Sequence, residues 1–312
     1  MIEKAVMKIS SRSDSFRTGF RWVSAVVIFV SALSFSSSIA NMNPAVLPQE
    51  YGEVVFQYNP KSPNQIYIIG MTHRDSLTRQ NGDNTSRVQA EVYKIGEWLI
   101  QYRGLELLLP EGFFAGTGPL HKGTARTAAT RVSPQSLDIK KIEARLSDRD
   151  FVNAEMLLMK NHGLRTEQVE DPALYKAVGD LILQLSTRGP SCDVSQVKSD
   201  LDFLQEMRTA AMLQKIPGIV DGVFQSGAID CRAGLFTIGI SHIPKIIQYL
   251  NEGRIQISSP ATGVYKNEKV ESGLNLAKGD FGVCVILPRT LASDPKVLQV
   301  NNLGQILENC RK

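Results

Sequence analysis

The chain has 312 residues, with 35 Lys and Arg against 31 Asp and Glu, four His, four Cys and 43% hydrophobic residues. That is enough apolar material for one large core or two closely joined halves. The net charge of +4 is concentrated at the start: residues 1–40 carry five basic and two acidic side chains, which leaves 30 basic and 29 acidic beyond them. The alkaline balance therefore gives no support to nucleic-acid binding or to an anionic membrane surface as the partner.

Arg12, Arg17 and Arg21 precede an apolar run from Trp22 to Leu33, followed by small residues that end Ser38-Ile39-Ala40. These are the three regions of a secretory signal, with cleavage expected after Ala40 and a secreted or periplasmic address. The alternative is membrane attachment by residues 22–40 as an uncleaved anchor, since that stretch is just long enough to span. Its serine-rich second half argues for cleavage. Residues 41–312 then form the mature α/β domain. Cys192, Cys231, Cys284 and Cys310 all lie in its second half. In an oxidising compartment they are expected to form at least one disulfide, with Cys192–Cys231 one pairing among three connectivities.

Residues 41–50 read as a leader, and Glu53–Tyr58 as a short strand. Gln65–Gly70 is a longer apolar strand that runs into Gly70-Met71-Thr72-His73. Arg74–Asn84 is a polar loop, and Asn84, Thr85 or Ser86 is placed to cap a helix reaching Tyr102. Leu105–Leu109 is the return strand of a β-α-β unit, ended by Pro110 and followed by Glu111-Gly112. Residues 115–139 are rich in Gly, Thr and Ser and read as a lid loop or an excursion; His121 lies within it.

A helix is expected from Asp148 to Asn161, stopped by His162-Gly163, the histidine being explained as a cation at a helix end. Arg165–Val169 reads as a short strand, and Glu170-Asp171-Pro172 as either metal ligands or the cap of the next helix. Helices over Ala173–Ser186 and Val197–Gln214 follow, then a loop over Asp221–Cys231. The apolar run Leu235–Ile238 ends in Gly239-Ile240-Ser241-His242, and Ile243–Asn251 is a helix. Arg254–Ser258 and Phe281–Leu287 are late strands.

Two strands thus end in Gly-x-x-His, 169 residues apart. With 24 Gly and four His, chance gives about 0.3 such matches, so two behind matching strands stand out. Glycine at a strand end permits a sharp turn or a close approach. The histidine falls past the carboxyl end, where open α/β sheets collect ligands. The pattern predicts a central, mostly parallel β-sheet flanked by helices, with two pseudo-related halves sharing a crevice.

A strand ending in Gly-x-x-His, a helix, a strand ending in Glu-Gly, a later Glu-Asp, and a second Gly-x-x-His resemble, in that order, the TIKI/TraB superfamily. That group also takes in GumN-like, ChaN-like and erythromycin-esterase-like proteins. The resemblance covers residues 65–112, 167–175 and 235–250. By position it carries over Gly70, His73, Glu111, Gly239 and His242, with Glu170 as a further match. It implies a metal-dependent protease or an esterase as the activity, a peptide or small molecule as substrate, and zinc, manganese or cobalt held by His73, Glu111, His242 and Glu170. A ChaN-like reading implies haem binding without catalysis. ChaN-like members show Gly-Glu-x-His at the first motif, where this chain has Gly70-Met71-Thr72-His73, which leans towards the TIKI/TraB/GumN side.

The residue chemistry points the same way. Two imidazoles and a carboxylate make a usable ligand set with a position left for water. Without metal, His73 or His242 can act as a general base oriented by Glu111. The chain lacks G-x-S-x-G and H-E-x-x-H, the patterns of serine-elbow and zincin hydrolases. Two readings follow: an exported hydrolase of peptide or ester bonds, or an exported binder of haem or another small ligand.

Overall fold

A computed structural model of the chain describes residues 46–72, 82, 84–112, 138–146, 152–187, 194–278 and 280–304. The signal segment, His73, His121, most of the expected lid, Cys192 and Cys310 lie outside the described residues. Among the described residues no helix is long and apolar enough to cross a membrane.

The chain runs β1 (Gly52–Tyr58), β2 (Asn64–Met71), α1 (Thr85–Arg103), β3 (Leu107–Pro110), α2 (Ile139–Glu143), α3 (Ala154–His162) and β4 (Arg165–Thr166). It continues α4 (Pro172–Thr187), α5 (Val194–Gln225), β5 (Ala233–Gly239), a 3-10 turn (Ile240–His242), α6 (Ile243–Glu252), β6 (Arg254–Ser258), β7 (Lys269–Gly273), α7 (Asn275–Lys278), β8 (Phe281–Pro288), α8 (Arg289–Ala292) and α9 (Pro295–Val300). Six strands form one sheet in the order β1-β8-β2-β5-β3-β4. All its neighbours are parallel except the edge pair β1 and β8. The expected α/β architecture with a mostly parallel sheet is present.

Alternation along the strands divides the core in two. Ile66, Ile68, Leu107, Leu109, Phe236 and Ile238 face α4, α5 and α6, while Tyr67, Ile69, Leu108 and Leu235 face α1, α2 and α3. The faces follow from the order of the strands. From β2 the chain travels one way along the sheet to β3 and β4, then returns to β5 and on to β8. Right-handed crossovers in opposite directions must use opposite faces, and the two core layers obey this. β2 and β5 are neighbours whose following helices, α1 and α6, pack on opposite faces of the sheet, the arrangement at which open α/β sheets collect ligands.

The two motif strands are aligned side by side. Gly70 is paired with Ile238, and Met71 with Gly239. A Cβ on Gly70 would lie 2.6 Å from Ile243 Cγ1 and 3.0 Å from Leu287 Cδ2. The first glycine thus makes room for the helix that starts just after the second motif.

Several local expectations are corrected. Asn84 adopts a left-handed conformation (φ 64°) and makes no side-chain cap to α1. The strand expected over Arg165–Val169 is only Arg165–Thr166, paired with Leu107 and Leu108 of β3. Helix α3 begins at Ala154, with Asn153 accepting from the Met156 amide, and the expected start at Asp148 lies outside the described residues. Helix α5 passes Gln214 and takes in part of the expected loop. Pro217 removes one rung of its ladder, but burial of Ile216, Val220 and Val223 against the sheet carries the helix on. β7 was not expected, because Lys269, Glu271 and Ser272 give no apolar alternation; it is held as the exposed antiparallel partner of β6.

Candidate functional site

Four segments distant in sequence meet at the carboxyl edge beside β5. They are the end of β3, the loop before α4, one turn of α5, and the turn after β5. Continuing the alternation of Leu107 and Leu109 places Glu111 towards α5. Its amide donates to the Thr237 carbonyl at 2.9 Å, and its Oε2 accepts from the Gly239 amide at 2.6 Å. Glu111 is thereby fastened to the last residue of β5, within reach of His242.

On the other side of Glu111 lies Arg208. Its Nη2 is 2.8 Å from Glu111 Oε1 and 2.6 Å from Glu170 Oε2, and its Nε donates to Glu170 Oε1 at 2.9 Å. The Glu170 side chain is fully buried and also accepts from the amides of Gly112 and Asp171. The two-pronged pairing suits the planar guanidinium. Burial works against the charge on Arg208, but the bonds and charges of Glu170 and Glu111 outweigh it and hold the guanidinium more firmly protonated than usual. The Tyr175 ring lies over the same group at 5.2 Å.

His242 ends the 3-10 turn and is 8% exposed. Its Nε2 faces Glu111 Oε1 at 3.5 Å, and its Nδ1 lies 2.5 Å from Thr209 Oγ1. Asp171, next to Glu170, has a separate task. Its Oδ1 accepts from the amides of Ala173 and Leu174 and caps α4. Burial works to raise its carboxyl, and those amides together with Lys215 outweigh it and lower it.

Of the residues expected at a site, Glu111, Glu170 and His242 come together, with Gly239 joined to them through its amide. Gly70 lies one strand away and serves packing against Ile243. His73 lies outside the described residues. Arg208 and Thr209 were missed. The available signal was Arg208 itself, which interrupts the buried helical row Leu204–Met212 at a spacing of four.

Among the described residues, no three His, Cys, Asp or Glu side chains are arranged to hold a metal ion. The donor set explains why. Both oxygens of Glu170 and both of Glu111 already accept from cationic or amide donors, and a guanidinium lies between them. The described residues as arranged do not fit the divalent ion that the resemblance implies. His162, expected merely to end a helix, also meets Glu97 Oε1 at 3.4 Å and the Tyr93 hydroxyl at 3.2 Å. Cys231 is exposed and Cys284 buried in β8, and they are not joined to each other. Burial pushes the Cys284 thiol up to about 11.

No known protein family, characterised protein or solved structure matches this chain.

Proposed function

We propose that the protein is an exported hydrolase of the TIKI/TraB type that cleaves a peptide or ester bond, with His242 as general base and Glu111 as its partner. The observation that carries this reading is the convergence of Glu111, Glu170, Arg208 and His242 at the carboxyl edge, where a parallel sheet with a change of winding direction gathers ligands. His242 Nε2 takes the proton of a water as its oxygen attacks the carbonyl carbon. The proton arrives beside Glu111 Oε1, whose position is fixed by Arg208 and the Gly239 amide. The imidazolium then returns the proton to the leaving amine or alcohol as the C–N or C–O bond breaks.

The reaction is assigned to acid–base chemistry because the carboxylates are already engaged by Arg208. A metal-dependent form would need Arg208 to leave both glutamates, and then metal added to chelator-treated protein would restore lost turnover. The test is an assay of the full chain on activated esters and unfolded peptide substrates. Turnover should survive chelation, and His242→Gln should lower it by about 10²–10⁴-fold with the fold intact. Full activity in H242Q would end this reading. A haem absorption band in the purified protein, with no turnover, would favour the binder instead. The signal reading predicts that exported protein begins after Ala40, and N-terminal sequencing that begins near Met1 would favour an anchor.

A further inference from the structure

The hydroxyl of Thr209 has one hydrogen and two acceptors within reach. It donates to the Gln205 carbonyl, one helical turn back, at 2.8 Å. The same oxygen lies 2.5 Å from His242 Nδ1. The Gln205 carbonyl can only accept, so it takes the Thr209 hydrogen, and the Nδ1 contact is then made with Thr209 accepting and the proton on Nδ1. The opposite tautomer would point Nε2–H at Glu111 and take the hydroxyl hydrogen away from Gln205. A neutral imidazole protonates one nitrogen only. Nε2 is then bare, and Nε2 is the atom that faces Glu111.

We propose that Thr209 is a positioning residue that selects the Nδ1–H tautomer of His242 and fixes the ring so that Nε2 is presented as the base. Thr209 is 1% exposed, so bulk water does not compete for its oxygen. Consecutive residues of one α5 turn therefore serve the two halves of the site, Arg208 holding Glu111 and Thr209 holding His242. During turnover the Nδ1–H bond to Thr209 stays in place, while Nε2 accepts the proton of water and gives it to the leaving group. The catalytic consequence rests on the hydrolase reading, but the tautomer does not.

The experiment is nitrogen NMR of the full chain with 15N-labelled histidine, at a pH where the ring is neutral. There are four histidines, and His242→Gln assigns the signal. The wild type should show a protonated-type shift at Nδ1 and an unprotonated-type shift at Nε2. Thr209→Ser should keep that pattern. Thr209→Val should move the population towards Nε2–H and lower kcat about tenfold, the value of one hydrogen bond, with KM within about twofold. An Nε2–H tautomer in the wild type, or an unchanged spectrum in T209V, overturns the proposal. Should T209V not fold, the wild-type and T209S spectra decide alone. An H242Q enzyme with full activity would sink the hydrolase reading and leave the tautomer assignment standing. An Nε2–H wild type with H242Q inactive would sink this inference alone.

Discussion

Two buried clusters among the described residues contain a histidine, a carboxylate and a cation, yet only one of them is placed as a site. At the carboxyl edge, Glu111, Glu170, Arg208 and His242 come from four segments and have the ends of β3 and β5 beneath them. Between α1 and α3, Lys94 Nζ lies 2.7 Å from Glu97, His162 contacts Glu97 and Tyr93, and Asn161 donates to the Tyr93 hydroxyl at 2.9 Å. The second set is drawn from two packed helices, and most of its members are a helical turn apart or next to one another. It resembles a seam between helices. The lesson is that a His–carboxylate contact has little meaning until the chain topology around it is known.

The largest expected difference between the clusters is in stability. Arg208→Met leaves Glu170 buried and uncompensated beside Glu111, and should cost about 3–5 kcal/mol in urea unfolding at neutral pH. A loss below about 1 kcal/mol would mean that the guanidinium does not hold this site together.

Activity should separate the clusters next. Glu111→Gln removes the charge beside Nε2 and should lower turnover by about 10²-fold or more. His162→Gln should leave turnover within about twofold. Equal losses would mean that the two clusters do not differ in function.

The third difference is in pH. Burial works to raise the Glu97 carboxyl, and bonds from His162, Lys94 and Tyr93 outweigh it, so it is held below its usual range. A depressed carboxyl stabilises the fold above its unfolded value and loses that contribution as pH falls through the folded one. Glu97→Gln should therefore cost about 1.5–3 kcal/mol at pH 7, with the gap to wild type closing in acid below about pH 4. Unfolding midpoints from pH 7 to pH 3 would test this.

A smaller test concerns the approach of the two motifs. Gly70→Ala places a methyl group against Ile243 and Leu287 and should cost about 1–3 kcal/mol through overpacking. A neutral result would show that α6 can withdraw from β2.

How much of this was legible depends on how local each cause is. β2, β5, β6, β8, α1 and α6 fall within a residue or two of their expected bounds, because apolar runs and helical periodicity sit in the sequence itself. Glu111 and His242 could be placed at strand ends for the same reason. Arg208 is legible only as a charge that interrupts a helical row and Thr209 not at all, since their burial exists only after α5 docks on the sheet. Glu170 was legible as a candidate but not in its role, which its partner 38 residues later determines. The extension of α5 past Pro217 and the pairing of β7 are likewise tertiary effects that local propensity does not contain.

The placement of β8 has a consequence for the timing of synthesis. Among the described residues β1 pairs only with β8, and β2 lies between β8 and β5. The first two strands of the sheet must therefore wait for β8. At ribosomal speeds the interval between β2 and β8 is about 10–45 s, during which apolar strands stand without their permanent neighbours. Folding of this sheet is in effect gated by the synthesis of β8. Nascent chains stalled just before Phe281 should remain protease-sensitive, whereas chains extended well past Pro288 should not.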